Sequence, residues 1–134
     1  MAQVIACEET SRKSIVDKQL QWQIQGLDRY QYILQRQCFC SHEYTQEMQI
    51  VVENNQVIEV IYADSGESVN DKVFSQQLTI SQWYDLMLKS MSNENGEVKV
   101  SFSEHNLYPS YIYIDQHKMR ADDEYTVVIK ELIQ

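Results

Sequence analysis

The chain has 134 residues, of which 43% are apolar and 23% charged, a composition typical of one globular domain with its own core. Its formal net charge of −9 arises from 20 acidic and 11 basic residues, and the basic residues are scattered along the chain. This charge argues against a nucleic-acid-binding protein, which needs a basic patch to displace counterions from phosphates, and against binding to anionic membranes.

The start of the chain, residues 1–13, is polar and aperiodic, and we predict a disordered lead-in before a single domain over residues 14–134. Val4-Ile5-Ala6-Cys7 is similar to the end of a bacterial lipoprotein signal, where the Cys is acylated after cleavage. Cys7 is therefore a lipidation candidate in a chain trimmed near its processing site, and a chance match is the alternative. No run approaches the roughly 18 apolar residues of a transmembrane helix.

A first helix is predicted over residues 14–27, where apolar residues recur at spacings of three and four. The predicted buried stripe consists of Val16, Leu20, Ile24 and Leu27, with Trp22 beside it.

Three antiparallel strands are predicted next, over residues 30–38, 46–53 and 56–62. A loop at 39–45 joins the first two, and Asn54-Asn55 suits a tight turn between the second and third. Alternation places three sets of residues on common faces: Tyr30, Tyr32 and Leu34; Met48, Ile50 and Val52; Ile58, Val60 and Tyr62.

The second half repeats this order after a polar loop at residues 63–77. Thr79 and Gln82 form a predicted capping box for a second helix that ends within residues 92–96.

Strands are predicted over residues 97–103, 107–115 and 124–132, with a turn at 104–106 and a polar connection at 116–123. Pro109 belongs at a strand start or edge. The order α-βββ-α-βββ predicts an α+β fold, with an antiparallel sheet and both helices on one of its faces.

Cys38 and Cys40 stand two residues apart at the end of the first predicted strand, so both thiols point the same way. In an oxidising compartment they suit a disulfide, either with each other or between one of them and Cys7. A metal clip is the second interpretation, with His42 and either Cys7 or Glu43 as further ligands. A redox pair is the third, although the Cys-x-x-Cys helix start that lowers a thiol pKa is missing.

Acidic residues cluster in two predicted loops, where two carboxylates could face each other across the substrate of a hydrolase. The clusters are Asp64, Glu67 and Asp71, and then Asp115, Asp122, Asp123 and Glu124. Neither has the spaced Asp-x-Asp-x-Asp-Gly pattern of a calcium loop. Solvated loops are the simpler interpretation, and we predict no metal, no cofactor and no catalytic residue.

The chain has nine Tyr residues, and most of them fall on or beside predicted strands. Packing in the core is the default interpretation, because half-buried sheet faces favour Tyr. The alternative is a ligand or partner surface on the sheet face that the helices leave uncovered. That surface would consist of Tyr30, Tyr32, Tyr62, Tyr108, Tyr111 and Tyr113, together with Asp64, Glu67, Asp115, Asp122 and Asp123.

Several short motifs occur in a specific order along the chain. They are Tyr30-x-Tyr32, Cys38-Phe39-Cys40, residues 60–67, Leu78-Thr79-Ile80, residues 108–115 and residues 121–125. The ordered set resembles an uncharacterised bacterial family, the domain of unknown function with DUF family number 6174, over about residues 20–129. The chain departs from that pattern at residues 104–107, where members often have a Gly before the Tyr-Pro pair.

The resemblance implies an exported protein, since members are typically envelope proteins of bacteria and many are lipid-anchored. It also favours the pairing of Cys38 with Cys40, and it implies no activity. We therefore predict an extracytoplasmic binding or interaction module without catalytic activity, monomeric or weakly dimeric. Its partner is an unknown protein or small molecule, and its only membrane contact is a lipid anchor. The alternative is a metal-binding or redox protein using Cys38, Cys40 and His42, or a hydrolase using the acidic loops.

Overall fold

The computed structural model describes residues 12–94, 96–103, 108–116 and 124–134. The helices in these ranges are α1 (Arg12–Gln25), α2 (His42–Thr45), α3 (Asp71–Phe74) and α4 (Ile80–Ser92). The strands are β1 (Arg29–Gln37), β2 (Met48–Glu53), β3 (Gln56–Tyr62), β4 (Glu97–Phe102), β5 (Pro109–Asp115) and β6 (Glu124–Ile133). The predicted turn at 104–106, most of the predicted connection at 116–123 and the lead-in up to residue 11 lie outside the described residues.

The six strands form one antiparallel sheet in the order β3-β2-β1-β6-β5-β4. Each predicted run of three strands is a meander, and pairing of β1 with β6 joins the two meanders. The α+β fold class is therefore confirmed. Two stretches predicted as loops contain the one-turn helices α2 and α3; α3 begins where the Asn70 side chain accepts a hydrogen bond from the Val73 N–H.

The core lies between the helices and one face of the sheet, which we call the inner face. Buried side chains of this face come from all six strands, and α4 covers it with Ile80, Trp83, Tyr84 and Met87. Helix α1 packs against α4, and the Trp22 ring meets the inner-face ring of Tyr30 edge-on at 5.3 Å. The opposite face, called the open face below, carries Gln35, Tyr111, Tyr113, Thr126 and Val128, all half-buried.

The predicted buried stripe of α1 is wrong at two of its four residues, while Val16 and Leu27 are partly buried. Leu20 and Ile24 are 51% and 82% exposed, whereas Ile15 and Trp22 are buried. Four residues advance an α-helix by about 400°, so a stripe with a spacing of four drifts around the helix axis. A spacing of seven returns to nearly the same direction, and it is Ile15 and Trp22 that face α4 and β1.

The predicted alternation of β3 is wrong at Ile58, which is 45% exposed. Val51 of β2 pairs with Glu59, but its neighbour Val52 pairs with Val57. Ile58 is therefore the extra residue of a β-bulge, and it turns outward from the core. A bulge on an edge strand also discourages pairing with another chain.

Two buried phenols on β1 hold the start of α4. The Tyr30 hydroxyl oxygen accepts a hydrogen bond from the Ile80 N–H at 2.9 Å, and the Tyr32 hydroxyl donates to the Leu78 carbonyl. The N–H groups of a first helical turn have no partner within the helix, so Tyr30 satisfies a donor that would otherwise be buried and unpaired. The Tyr-x-Tyr motif is thus a structural device that ties a strand to a helix.

The predicted capping box at the start of α4 is confirmed. The Thr79 hydroxyl accepts a hydrogen bond from the Gln82 N–H at 3.1 Å, and the Gln82 side chain accepts one from the Thr79 N–H at 2.9 Å. These two bonds satisfy further backbone groups of the first turn. The start of α4 is therefore fixed by its own residues as well as by β1.

Burial should make the protein less stable in alkaline solution. It raises the pKa of Tyr30 from 10.0 to about 12. Between these values the unfolded chain loses the phenol proton while the folded chain keeps it, so stability present below pH 10 declines up to pH 12. We expect Tyr30→Phe to show a shallower decline in unfolding free energy over this range, measured by urea unfolding at several pH values. Tyr111→Phe, a change on the open face, should keep the wild-type slope; equal slopes for Tyr30→Phe and wild type would contradict the prediction.

Candidate ligand-binding cleft

A disulfide follows directly after β1. Cys38 and Cys40 are joined with a sequence separation of two and a Cα–Cα distance of 5.3 Å. Phe39 lies between them, and its side chain is 91% exposed. The bridge closes a small ring, so Phe39 is presented to solvent by a short restrained segment.

A cleft of about 240 Å³ lies beside this ring, and we call it the disulfide cleft. Its walls come from the end of β1, the disulfide ring, β5 and the start of β6. The lining residues are Gln37, Cys38, Phe39, Tyr113, Glu124, Tyr125 and Thr126. Strand register explains the arrangement, because Thr126 pairs with Gln37 on one side and with Tyr113 on the other. These three side chains form one row across the open face.

The pKa of Tyr113 reports the electrostatic environment of the cleft. Burial is the main cause of the raised pKa of Tyr113, and nearby Glu124, Asp115 and Glu97 raise it further. Negative charge disfavours the phenolate form, so these carboxylates add negative charge near the ring. Glu97, Asp115 and Glu124 are cross-strand partners, since Asp115 pairs with both of the others.

Two aromatic rings of the cleft already lie next to cations of the chain. The Arg36 guanidinium is 4.8 Å from the centre of the Tyr125 ring, and the Lys99 ammonium is 5.5 Å from that of Tyr113. Both distances are within the range of cation–π attraction. Burial lowers the pKa of Arg36, and the neighbouring tyrosines oppose that shift. Lys99 is also 3.8 Å from Glu97.

A second cleft of about 510 Å³ opens at the same end of the sheet, next to β2 and β3. It is lined by Gln35, His42, Thr45, Gln46, Glu47, Ala63 and Asp64. Its one lining aromatic group is the imidazole of His42, and its Glu47 carboxylate is held by Lys130 at 2.6 Å. A larger share of its lining is polar than in the disulfide cleft.

The predicted tyrosine surface separates into core and surface residues. Tyr30 and Tyr32 are 3% and 0% exposed, and Tyr108 is buried as well, so the packing interpretation holds for these three. Tyr62, Tyr111 and Tyr113 are half-buried. Of these, Tyr113 lines the disulfide cleft, while the Tyr62 hydroxyl donates to the Glu43 carbonyl at 3.0 Å.

Of the described acidic residues, Asp115 and Glu124 are cross-strand partners, whereas Asp64 and Glu67 follow β3, three strands away from β6. Asp64 and Glu67 are exposed at the end of β3, and Asp115 is 5% exposed on β5. Asp122, Asp123 and the lipidation candidate Cys7 lie outside the described residues.

The residues of the predicted metal clip lie at two different clefts. His42 lies on α2 and lines the second cleft, whereas Cys38 lines the disulfide cleft. Within the described ranges, no three His, Cys, Asp or Glu side chains are grouped as metal ligands.

Sequence reasoning missed Phe39, Gln37 and Thr126 as members of a site. The exposure of Phe39 could have been predicted, because it is a large apolar residue between two cysteines. A small bridged ring cannot bury its own middle side chain. No local signal existed for Gln37 and Thr126, because they meet only through the pairing of β1 with β6.

In the comparison with protein families, the model of a family of unknown function, DUF6174, matches residues 14–134. Comparisons with curated proteins and with solved structures found no match. In the parts of the chain that the structure describes, no helix has the length and apolar character needed to cross a membrane.

Proposed function

We propose that this chain, which belongs to the DUF6174 family of unknown function, is a binding module of the bacterial cell envelope that has no catalytic activity. The disulfide cleft is its contact site, and Phe39 is the central contact residue. The observation that carries this proposal is the 91% exposure of Phe39 beside an aromatic cleft.

An exposed aromatic side chain on a restrained segment suits recognition. Aromatic residues are enriched among the residues that dominate binding energy in interfaces. The ring closed by Cys38 and Cys40 limits the conformations of Phe39 before binding, so less conformational entropy is lost when a partner covers it. Tyr113 and Tyr125 add apolar area next to it.

The disulfide also supports a location outside the cytoplasm. Disulfides persist in oxidising compartments and are rare where glutathione and thioredoxin keep thiols reduced. Cys38 and Cys40 are joined in the structure, and Cys40 is exposed to the surrounding solvent. In this proposal the protein is exported, and Cys7 is the lipid attachment point that holds it at the envelope.

Site-specific photo-crosslinking in the source bacterium tests the proposal. Replacing Phe39 with p-benzoylphenylalanine keeps an aromatic side chain at the tip and makes it reactive towards whatever lies against it. We expect one discrete crosslinked product after irradiation. The same group at Ile58, 45% exposed on the edge strand β3, should not give that product.

Competition makes the result specific to the cleft. Excess wild-type protein should suppress the crosslink, whereas Phe39→Ser protein should compete about tenfold less well, the loss expected for an aromatic anchor worth at least about 1.4 kcal/mol. Absence of a discrete product at position 39, or the same product from position 58, would contradict the proposal. Equal competition by Phe39→Ser would also contradict it.

A further inference from the structure

Resting on the proposed function, we infer that the disulfide cleft binds a basic segment of a partner protein. A Lys or Arg side chain of that segment lies against Phe39 and Tyr113, with its charge near Glu124.

The first support is the cationic groups that lie next to two aromatic rings lining the cleft. Tyr125 and Tyr113 each lie next to a cationic group of the chain itself, at 4.8 Å and 5.5 Å. Both rings can therefore take part in cation–π contacts. Phe39 belongs to the same lining and is 91% exposed, so its ring is accessible to a cation from outside.

The second support is charge. Glu124 lines the cleft, is exposed, and forms no ion pair with any residue in the described part of the chain. The formal net charge of −9 adds a long-range attraction for cationic partners and repels anionic ones. Lys99 is held partly by Glu97 at 3.8 Å, which reduces its repulsion of an incoming cation.

The third support is size. The cleft has about 240 Å³, below the range of roughly 300–1,000 Å³ that is usual for pockets holding drug-sized ligands. One long side chain suits this volume. The apolar stem of Lys or Arg would pack on the rings while the charged head stays at the wet edge, near Glu124 and Thr126.

The test is an NMR titration of the oxidised, folded protein with two peptides. The first is acetyl-Gly-Lys-Gly-Arg-Gly-Lys-Gly-amide, and the second has norleucine for Lys and citrulline for Arg. We expect the basic peptide to shift the backbone amide signals of Phe39, Tyr113 and Thr126, and the neutral peptide to bind at least about tenfold more weakly.

Matched variants separate a specific contact from general attraction. Glu124→Gln should weaken the basic peptide about three- to tenfold, whereas Glu67→Gln, the same charge change in an exposed loop, should weaken it less than about twofold. Lys99→Met should strengthen binding, because it removes the cation of the chain that lies next to Tyr113. Circular dichroism checks that each variant is folded.

Three results would overturn the inference: no shifts at the cleft, equal binding of the two peptides, or equal losses in Glu124→Gln and Glu67→Gln. Equal binding that still depends on Phe39 would leave the binding module standing and remove only the basic partner. A failed crosslink at position 39 together with specific binding of the basic peptide would contradict the contact through Phe39 in the cell. It would leave the preference of the cleft for basic peptides standing.

Discussion

Tyr32→Phe should lower the free energy of unfolding by about 1–3 kcal/mol, the cost of leaving a buried polar group without its hydrogen bond. The Tyr32 side chain is 0% exposed, and its hydroxyl donates to the Leu78 carbonyl just before α4. Phe fills nearly the same space, so the change isolates the loss of the hydroxyl. Urea unfolding followed by far-ultraviolet circular dichroism measures the difference, and an unchanged m-value shows that the unfolded state is unaffected.

Tyr113→Phe is the matched control, because it removes a hydroxyl from a half-buried ring on the open face. It should change the unfolding free energy by less than about 0.5 kcal/mol, as expected of surface substitutions. Similar losses from Tyr32→Phe and Tyr113→Phe would show that the bond to Leu78 does not stabilise the junction between β1 and α4.

The parts of the fold that depend on neighbouring residues could be predicted from the sequence. The capping box of α4 lies within four residues, and its chemistry is readable in Thr79 and Gln82. The strands of each meander follow one another in the chain, so alternation and turn residues were enough to predict them. The pairing of Leu34 with Ile129 could not be predicted in this way, because it joins residues far apart in the chain through a shared core.

In the candidate site, too, features set by neighbouring residues could be predicted, and features set by long-range strand pairing could not. Cys38 and Cys40 stood out through local spacing, and Tyr113 through its residue type. Their position beside Glu124 and Thr126 depends on the registers of β1 with β6 and of β5 with β6. The prediction of the buried side of α1 was wrong for a related reason. Local periodicity is compatible with several apolar stripes, and packing against Tyr30 selects the one that contains Trp22.

Gly96→Ala should destabilise the fold by about 3 kcal/mol, the upper end of the cost of adding a methyl group to a packed site. A Cβ at Gly96 would lie closer to the Ser90 carbonyl oxygen than real Cβ atoms approach any heavy atom, 3.3 Å from the carbonyl oxygen of Asn93 and 3.4 Å from that of Asp115. All three are backbone atoms, so no side chain can rotate away to make room. The end of α4 or the start of β4 must shift instead, at the cost of the hydrogen bond from the Gly96 N–H to Asn93. Urea unfolding measures the loss.

Gly66→Asn is the control that separates crowding from the general effect of replacing a glycine. Gly66 has φ of 78°, and a Cβ there would meet nothing within 4 Å. Asn tolerates this left-handed conformation better than most residues, so its cost should stay near 1 kcal/mol or below. If Gly96→Ala were as mild as Gly66→Asn, the junction between α4 and β4 would have to be looser than the close approach of Gly96 to Ser90 indicates. A large loss confined to Gly96 would instead show that the helix end and the adjoining strand are packed backbone against backbone, which only glycine permits.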